Sequence, residues 1–212
     1  MSMLPEAELT SFIAALFSMM NPIGNVGVFA GMTSDRPPAE AKRIAWTCAI
    51  AVAITLLIVT WGGSLFLEFF GITVDSLLAA GGIIVLLIGL HMLSNSSEHK
   101  HSETELEDAK QKASIAVVPM AIPIVAGPGA MAAVLVATQQ HPAALSKVEI
   151  SVVILALAAL SGLMFHFGGP LSKKLGESGM GVVTRVMGMV LAAIAMGMLA
   201  SGLKGMLPGL AG

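Results

Sequence analysis

The chain of 212 residues is 56% hydrophobic and only 11% charged, with a formal net charge of −2 and a mean hydropathy of +0.87. Soluble domains carry roughly 25% charged residues, so an ordinary soluble domain is excluded, and so is the basic footprint that nucleic-acid binding requires. Cys48 is the one cysteine, which excludes an intrachain disulfide and a thiolate metal cluster.

Six apolar stretches, near residues 9–31, 44–66, 74–94, 114–137, 149–169 and 182–204, are predicted to cross a hydrocarbon core, which takes about 20 residues each. The segment MSMLPEAE ahead of the first has no Lys or Arg, so it does not read as a cleavable signal peptide. The first stretch is interrupted at its middle by Asn21-Pro22-Ile23-Gly24-Asn25, and the fourth by Ala126-Gly127-Pro128-Gly129. Each proline lacks an N–H and clashes with the preceding turn, so main-chain groups lose their helical partners. In a bilayer such groups persist only where they line a cavity or find another partner.

The second stretch holds Cys48 amid Ala, Ile and Val, where it reads as a packing thiol. Trp46 and Trp61 lie near its opposite ends, as interfacial anchors do. After the third comes a polar linker, Asn95 to Lys112, rich in Ser, Glu, Lys and His. Its His99-Lys100-His101 cluster offers no ligand geometry, and it reads as a solvated tether. Gly27 and Gly31, and Ala193, Gly197, Ser201 and Gly205, fall four apart. Small residues at that spacing let helices approach closely; packing within the chain is the first reading and a homo-oligomer face the second.

Nine of the 11 Lys and Arg residues fall in alternate loops or just inside their helix ends, and two on the other side. By the positive-inside rule both termini are then periplasmic and the linker cytoplasmic. The linker divides the chain into residues 1–94 and 113–212, and breakers and helix ends recur at an offset of 106. Pro22 maps onto Pro128, Gly62-Gly63 onto Gly168-Gly169, Gly82 onto Gly188, and Met92-Leu93 onto Met198-Leu199. Three crossings per half is an odd number, so the second copy enters from the opposite side. The expected fold is therefore an all-α membrane protein of six transmembrane helices, two inverted three-helix repeats with helices 1 and 4 broken at midplane.

No Asp, Glu, Lys or Arg falls near the centre of any span, so a bound group is met by backbone and neutral side chains. Pro22 and Pro128 each suit the first position of a second half-helix, with Asn21 and Gly127 as N-caps. Half-helix starts present free N–H groups to a carboxylate; the carbonyls ending the preceding half-helices suit an ammonium group or a desolvated cation. A small zwitterion fits both, and Gly24, Gly27, Gly129 and Ala130 leave little bulk beside it. Asn25, one turn after Asn21, shares its face. The rival reading of the breaks is two kinked helices with no ligand.

His91 and His166 are the titratable groups near physiological pH within the spans, both toward predicted cytoplasmic ends, where interfacial hydrogen bonding is their first role. Ser161 and His166 are five apart and on different faces, with no nucleophile motif around them, so the chain does not read as an enzyme.

The motifs NPIGNVGVF at 21–29 and AIPIVAGPGAM at 121–131 resemble those of the MarC family of integral membrane proteins, and the resemblance runs over almost the whole chain. It departs at Gly27, where proline is common in the family. The resemblance implies a multi-pass protein of the bacterial inner membrane and, as in some members, movement of glycine, alanine or related neutral amino acids. It carries the site to Asn21, Pro22, Gly24, Asn25, Gly127, Pro128 and Gly129. No metal or cofactor is implied; Na+ and H+ are the candidate coupling ions, with no specific cation site in the sequence. The alternatives are a channel for small polar solutes and a structural or regulatory membrane protein without transport.

Overall fold

The computed structural model describes residues 4–33, 36–94, 116–207 and 209; the linker, with His99 and His101, lies outside these. The described residues are helical, with no strand among them. The helices are α1 (Glu6–Met20), α2 (Asn25–Met32), α3 (Pro38–Phe70), α4 (Val74–Ser94), α5 (Ala116–Val125), α6 (Pro128–Gln140), α7 (Ala144–His166) and α8 (Gly168–Met206). By length and composition, four stretches suffice to cross a membrane: Glu6–Met32, Pro38–Leu65, Ala144–His166 and Arg185–Met206. Val74–Leu90 is a shorter apolar helix, and Ala116–Gln140 is interrupted between α5 and α6.

Helix ends follow local chemistry. Pro38 occupies the first turn of α3, and Gly71, at φ 64°, terminates it in the left-handed conformation that glycine enters without a Cβ penalty. At 33 residues α3 is about 50 Å long and outruns the expected span 44–66 at both ends. The last expected span, 182–204, is likewise part of a longer helix, which bends at Gly176 (φ 65°, ψ 175°), a conformation open in practice to glycine alone.

α3 and α7 pack antiparallel, pinned at both ends. Trp46 Nε1 donates to His166 Nδ1 at 3.3 Å, and Trp61 Nε1 donates to Ser151 Oγ at 3.2 Å. Both indoles remain 42% or more exposed, so each keeps an apolar flank outward while its N–H is satisfied. The interfacial reading of His166 thus has a partner; the side chain of His91 lies outside the described set.

α4 and α8 also run antiparallel, and here the backbones touch. A Cβ on Gly82 would sit 3.0 Å from Ala195 O, one on Gly89 2.9 Å from Gly188 O, and one on Gly202 2.6 Å from Asp75 O. The contact positions Asp75, Gly82 and Gly89 repeat every seven residues, as do Gly188, Ala195 and Gly202, the period of a left-handed helix pair. The expected four-residue stripe is therefore not the packing face. Gly197 and Gly31 face open space, whereas Gly205 meets α4 against the Asp75 carboxylate.

The main core joins α1, α2, α3, α5, α6 and α7 through Leu16, Met20, Val26, Phe29, Val52, Met120, Val125, Ala130, Ile150 and Phe165 among others. Residues on both sides of both interruptions belong to it.

Candidate functional site

α1 stops where the sequence loses a donor. Pro22 has no N–H for Ser18 O, and among the described residues neither Ser18 O nor Met19 O receives a hydrogen bond. Asn21 closes α1 in the left-handed region (φ 44°, ψ 55°), the one non-glycine described there; asparagine tolerates that region better than most residues do. Residues 22–24 form a turn, and regular helix resumes at Asn25. The restart thus falls three residues later than a proline-led half-helix would place it.

The two asparagines stitch this break together. Gly24 N–H donates to Asn21 Oδ1 at 3.1 Å, Asn25 N–H to Asn21 O at 3.0 Å, and Asn25 Nδ2 to Met20 O at 3.0 Å. Asn21 is thus the C-cap of α1 and not the expected N-cap: its amide oxygen takes the Gly24 N–H inside the turn, while Gly24 itself is the N-cap of α2, with no side-chain cap bond. Gly24 is needed because the Asn21 amide folds over it: a Cβ there would lie 2.3 Å from Asn21 Nδ2. What remains without a described partner is Ile23 N–H, Asn21 Nδ2 and Asn25 Oδ1. Asn21, Pro22 and Gly24 are buried and Asn25 half-buried.

The second break is wider. Val118 and Ile122 take extended dihedrals (φ −129°, ψ 121° and φ −128°, ψ 123°) inside α5. Each precedes a proline, Pro119 or Pro123, and proline's ring pushes the residue before it out of the helical region. Two prolines four apart stretch the turns of α5, and Ala126 N–H reaches back five residues to Ala121 O at 2.8 Å. The expected single interruption at Pro128 is thus the last of three bends, and the VPMAIP run at 118–123 is the signal that points to the other two.

Pro128 does begin α6, with Gly127 as an extended N-cap (φ −76°, ψ 175°) that supplies no side-chain bond. Gly127 O accepts from Met131 N–H at 3.0 Å. The N–H groups of Gly127, Gly129 and Ala130 find no partner among the described residues, and all three residues are buried. A buried helix start with orphan donors and a positive dipole end favours a negative group.

The breaks adjoin. Met19, at the end of α1, has Cγ and Sδ 3.9 Å from the point a Cβ on Gly129 would occupy, and Val85 Cγ2 of α4 is 2.6 Å from it. Any larger residue at 129 would push α4 or α1 away. Donors at the start of α6 and bare carbonyls at the end of α1 are thereby brought to one buried region.

A cavity of about 520 Å³ leads toward this region from one side. Glu8, Ser11, Gln140 and His141 stand at its mouth, and Ala15, Met19 and Ala133 at its inner end. None of the seven expected site residues lines it. At the mouth His141 Nε2 and Glu8 Oε2 lie 2.5 Å apart, joining α1 to the end of α6, and Leu4 N–H donates to Glu149 at 2.9 Å. On the other side of the breaks, Phe29 and Phe165 stack with centroids 5.0 Å apart and planes 7° from parallel. Nothing in the spacing of these residues singled them out; they meet only through the packing of α1 on α6 and of α2 on α7.

The sequence profile of the MarC family integral membrane proteins matches residues 7–207. The chain is 39% identical to the UPF0056 membrane protein YvbG of Bacillus subtilis over 196 residues, 92% of this chain and 93% of the relative. It is 37% identical to YhcE of Escherichia coli (94% and 93%) and 34% identical to MJ1677 of Methanocaldococcus jannaschii (94% and 99%), both also UPF0056 membrane proteins. No solved structure matches. With interrupted membrane-length helices and agreement from end to end with these relatives, the chain belongs to the MarC family of integral membrane proteins.

Proposed function

We propose that this protein is a secondary transporter of small neutral amino acids of the glycine, alanine, serine or threonine type, working by alternating access around its two broken helices. The observation that carries the proposal is the juxtaposition of the end of α1 with the start of α6 in one buried region. A zwitterion's carboxylate would be held by the N–H groups of Gly127, Gly129 and Ala130, and its ammonium by the carbonyls of Ser18 and Met19. Hydrogen bonds to charged groups are worth about 1.5–3 kcal/mol each, so a handful offsets much of the desolvation of a small amino acid. Asn21 Nδ2 and Asn25 Oδ1 add a neutral donor and acceptor, while Pro22, Gly24 and Pro128 shape the break.

In this reading α1–α2 and α5–α6 each count as one span, giving six in two inverted halves. The contacts support it. Gly82 against Ala195 becomes, on adding and subtracting 106, Gly188 against Gly89, and both contacts occur. Gly63 against Leu135 becomes position 169 against Phe29, and a Cβ on the neighbouring Gly168 would lie 3.3 Å from Phe29. In this reading both termini are periplasmic and the membrane is the bacterial inner membrane, which the Lys and Arg distribution supports. On the same reading the chain acts as a carrier and not as an enzyme; Na+ and H+ are the candidate coupling ions, and the same gates serve uptake or efflux.

Reconstitution in liposomes tests this. Preloaded unlabelled glycine, alanine, serine or threonine should drive saturable uptake of the labelled amino acid, with and without a sodium or proton gradient. Folded protein that exchanges none of the four defeats the proposal; flux without counterflow or saturation would instead mark a channel.

A further inference from the structure

Resting on that transport reading, we infer that the molecule stands open on one side only: the cavity is the substrate's path to the breaks, Met19 is its floor, and the Phe29–Phe165 stack shuts the opposite path. Between Glu8 at the mouth and Met19 at the floor, α1 runs 11 residues, about 16 Å at 1.5 Å per residue. The path therefore runs along nearly the whole of α1 and stops where α1 stops.

Its lining is graded. A carboxylate, a hydroxyl, an amide and an imidazole gather with Leu4 at the exposed end, while the rest of the wall is apolar, with Phe12, Leu78, Ile194 and Met198 beside Ala15 and Met19. A crevice meant for lipid tails would be apolar at its entrance too; a polar entrance suits water and a zwitterion. The floor is one unbranched, flexible side chain, and methionine re-packs at low cost. Met19 touches the position of Gly129, so its rotation would join cavity and orphan donors directly.

The other half of the route is sealed. Phe29 is 2% and Phe165 1% exposed, and Val26, between the break and the rings, is 0% exposed. A Cβ on Gly168 would sit 3.3 Å from Phe29 and 3.7 Å from Val26, so α8 packs close over both. Shifting Phe29 and Phe165 by 106 residues gives Leu135 and Val59, both of which a Cβ on Gly63 would meet. The equivalent positions thus hold a ring stack in one half of the chain and a branched aliphatic pair in the other.

Single cysteines test this in the full-length protein, with Cys48 (0% exposed) retained as an unreactive control. Right-side-out and inside-out vesicles are treated with a membrane-impermeant maleimide. Ala15→Cys and Ala133→Cys should label about tenfold or more faster than Val26→Cys, and from one face only. Adding Phe165→Leu, or Phe29→Leu should the first not fold, should make Val26→Cys reactive from the opposite face. Equal labelling at all three positions, reaction with a lipid-soluble maleimide alone, or continued protection of Val26→Cys without the stack would overturn the inference. Labelling requires no transport, so normal sidedness in a protein that exchanges no amino acid would refute the transport reading and leave one-sided access standing.

Discussion

Replacing Asn21 by alanine removes two things at once, and a glycine variant separates them. The first is the acceptor for Gly24 N–H, 3.1 Å away in a buried turn. A buried donor left unsatisfied costs about 1–3 kcal/mol. The second is tolerance of φ 44°, where a residue with a Cβ and no local hydrogen bond loses about 1–2 kcal/mol. Alanine at 21 suffers both effects, about 2–5 kcal/mol, whereas glycine suffers only the first. The predicted order of stability is wild type, then Asn21→Gly, then Asn21→Ala. The gap between the variants, about 1–2 kcal/mol, corresponds to about 2–8 °C in a chain of this size. Thermal unfolding in detergent, followed by loss of the monodisperse peak, reads the order directly. An Asn21→Ala protein as stable as wild type, or a glycine variant weaker than the alanine one, would refute the reasoning.

Other consequences can be measured the same way. Gly188→Val should lower stability by about 1–3 kcal/mol or more through overpacking, because its Cβ would meet Gly89 O at 2.9 Å. Gly197→Val, in open space on the same helix, should stay within about 0.5 kcal/mol. Glu8→Gln breaks the pair with His141, whose members are 55% and 24% exposed, and should cost at most about 1 kcal/mol. His166→Gln can still accept from Trp46 and should leave amino acid counterflow unchanged. Cys48 should react with a thiol reagent only on unfolding, which makes it an internal reporter of the transition.

Membrane character, the helical class and the position of both interruptions were legible because composition and proline act locally. Pro22 and Pro128 withdraw donors whatever surrounds them. The bends at Val118 and Ile122 were equally local, written in Pro119 and Pro123, and were overlooked beside the more conspicuous glycines of the GPG motif. The site's internal wiring was only half readable. An asparagine one turn from another suggests shared duty, but the sequence does not say whether an amide faces a ligand or its own backbone. Here Asn21 Oδ1 and Asn25 Nδ2 do the latter. The α4–α8 seam was misread for a similar reason. Four-residue and seven-residue spacings both occur in a glycine-rich helix, and only the partner, through Gly82 and Gly89, selects between them. The Phe29–Phe165 and Glu8–His141 contacts join residues more than 130 apart, and no local pattern encodes such meetings.

The three prolines of α5 and α6 bear on how the protein is made. A segment that meets its own backbone needs can enter lipid as it leaves the translocon and find its neighbours afterwards. Ala116–Gln140 cannot, because its extended residues and bare amides would face hydrocarbon. It must be received by α1 and α3, already in place, before it is stable at that depth. Biogenesis of the second half then waits on the first, and a chain expressed from residue 113 onward should be degraded unless residues 1–94 are supplied alongside it.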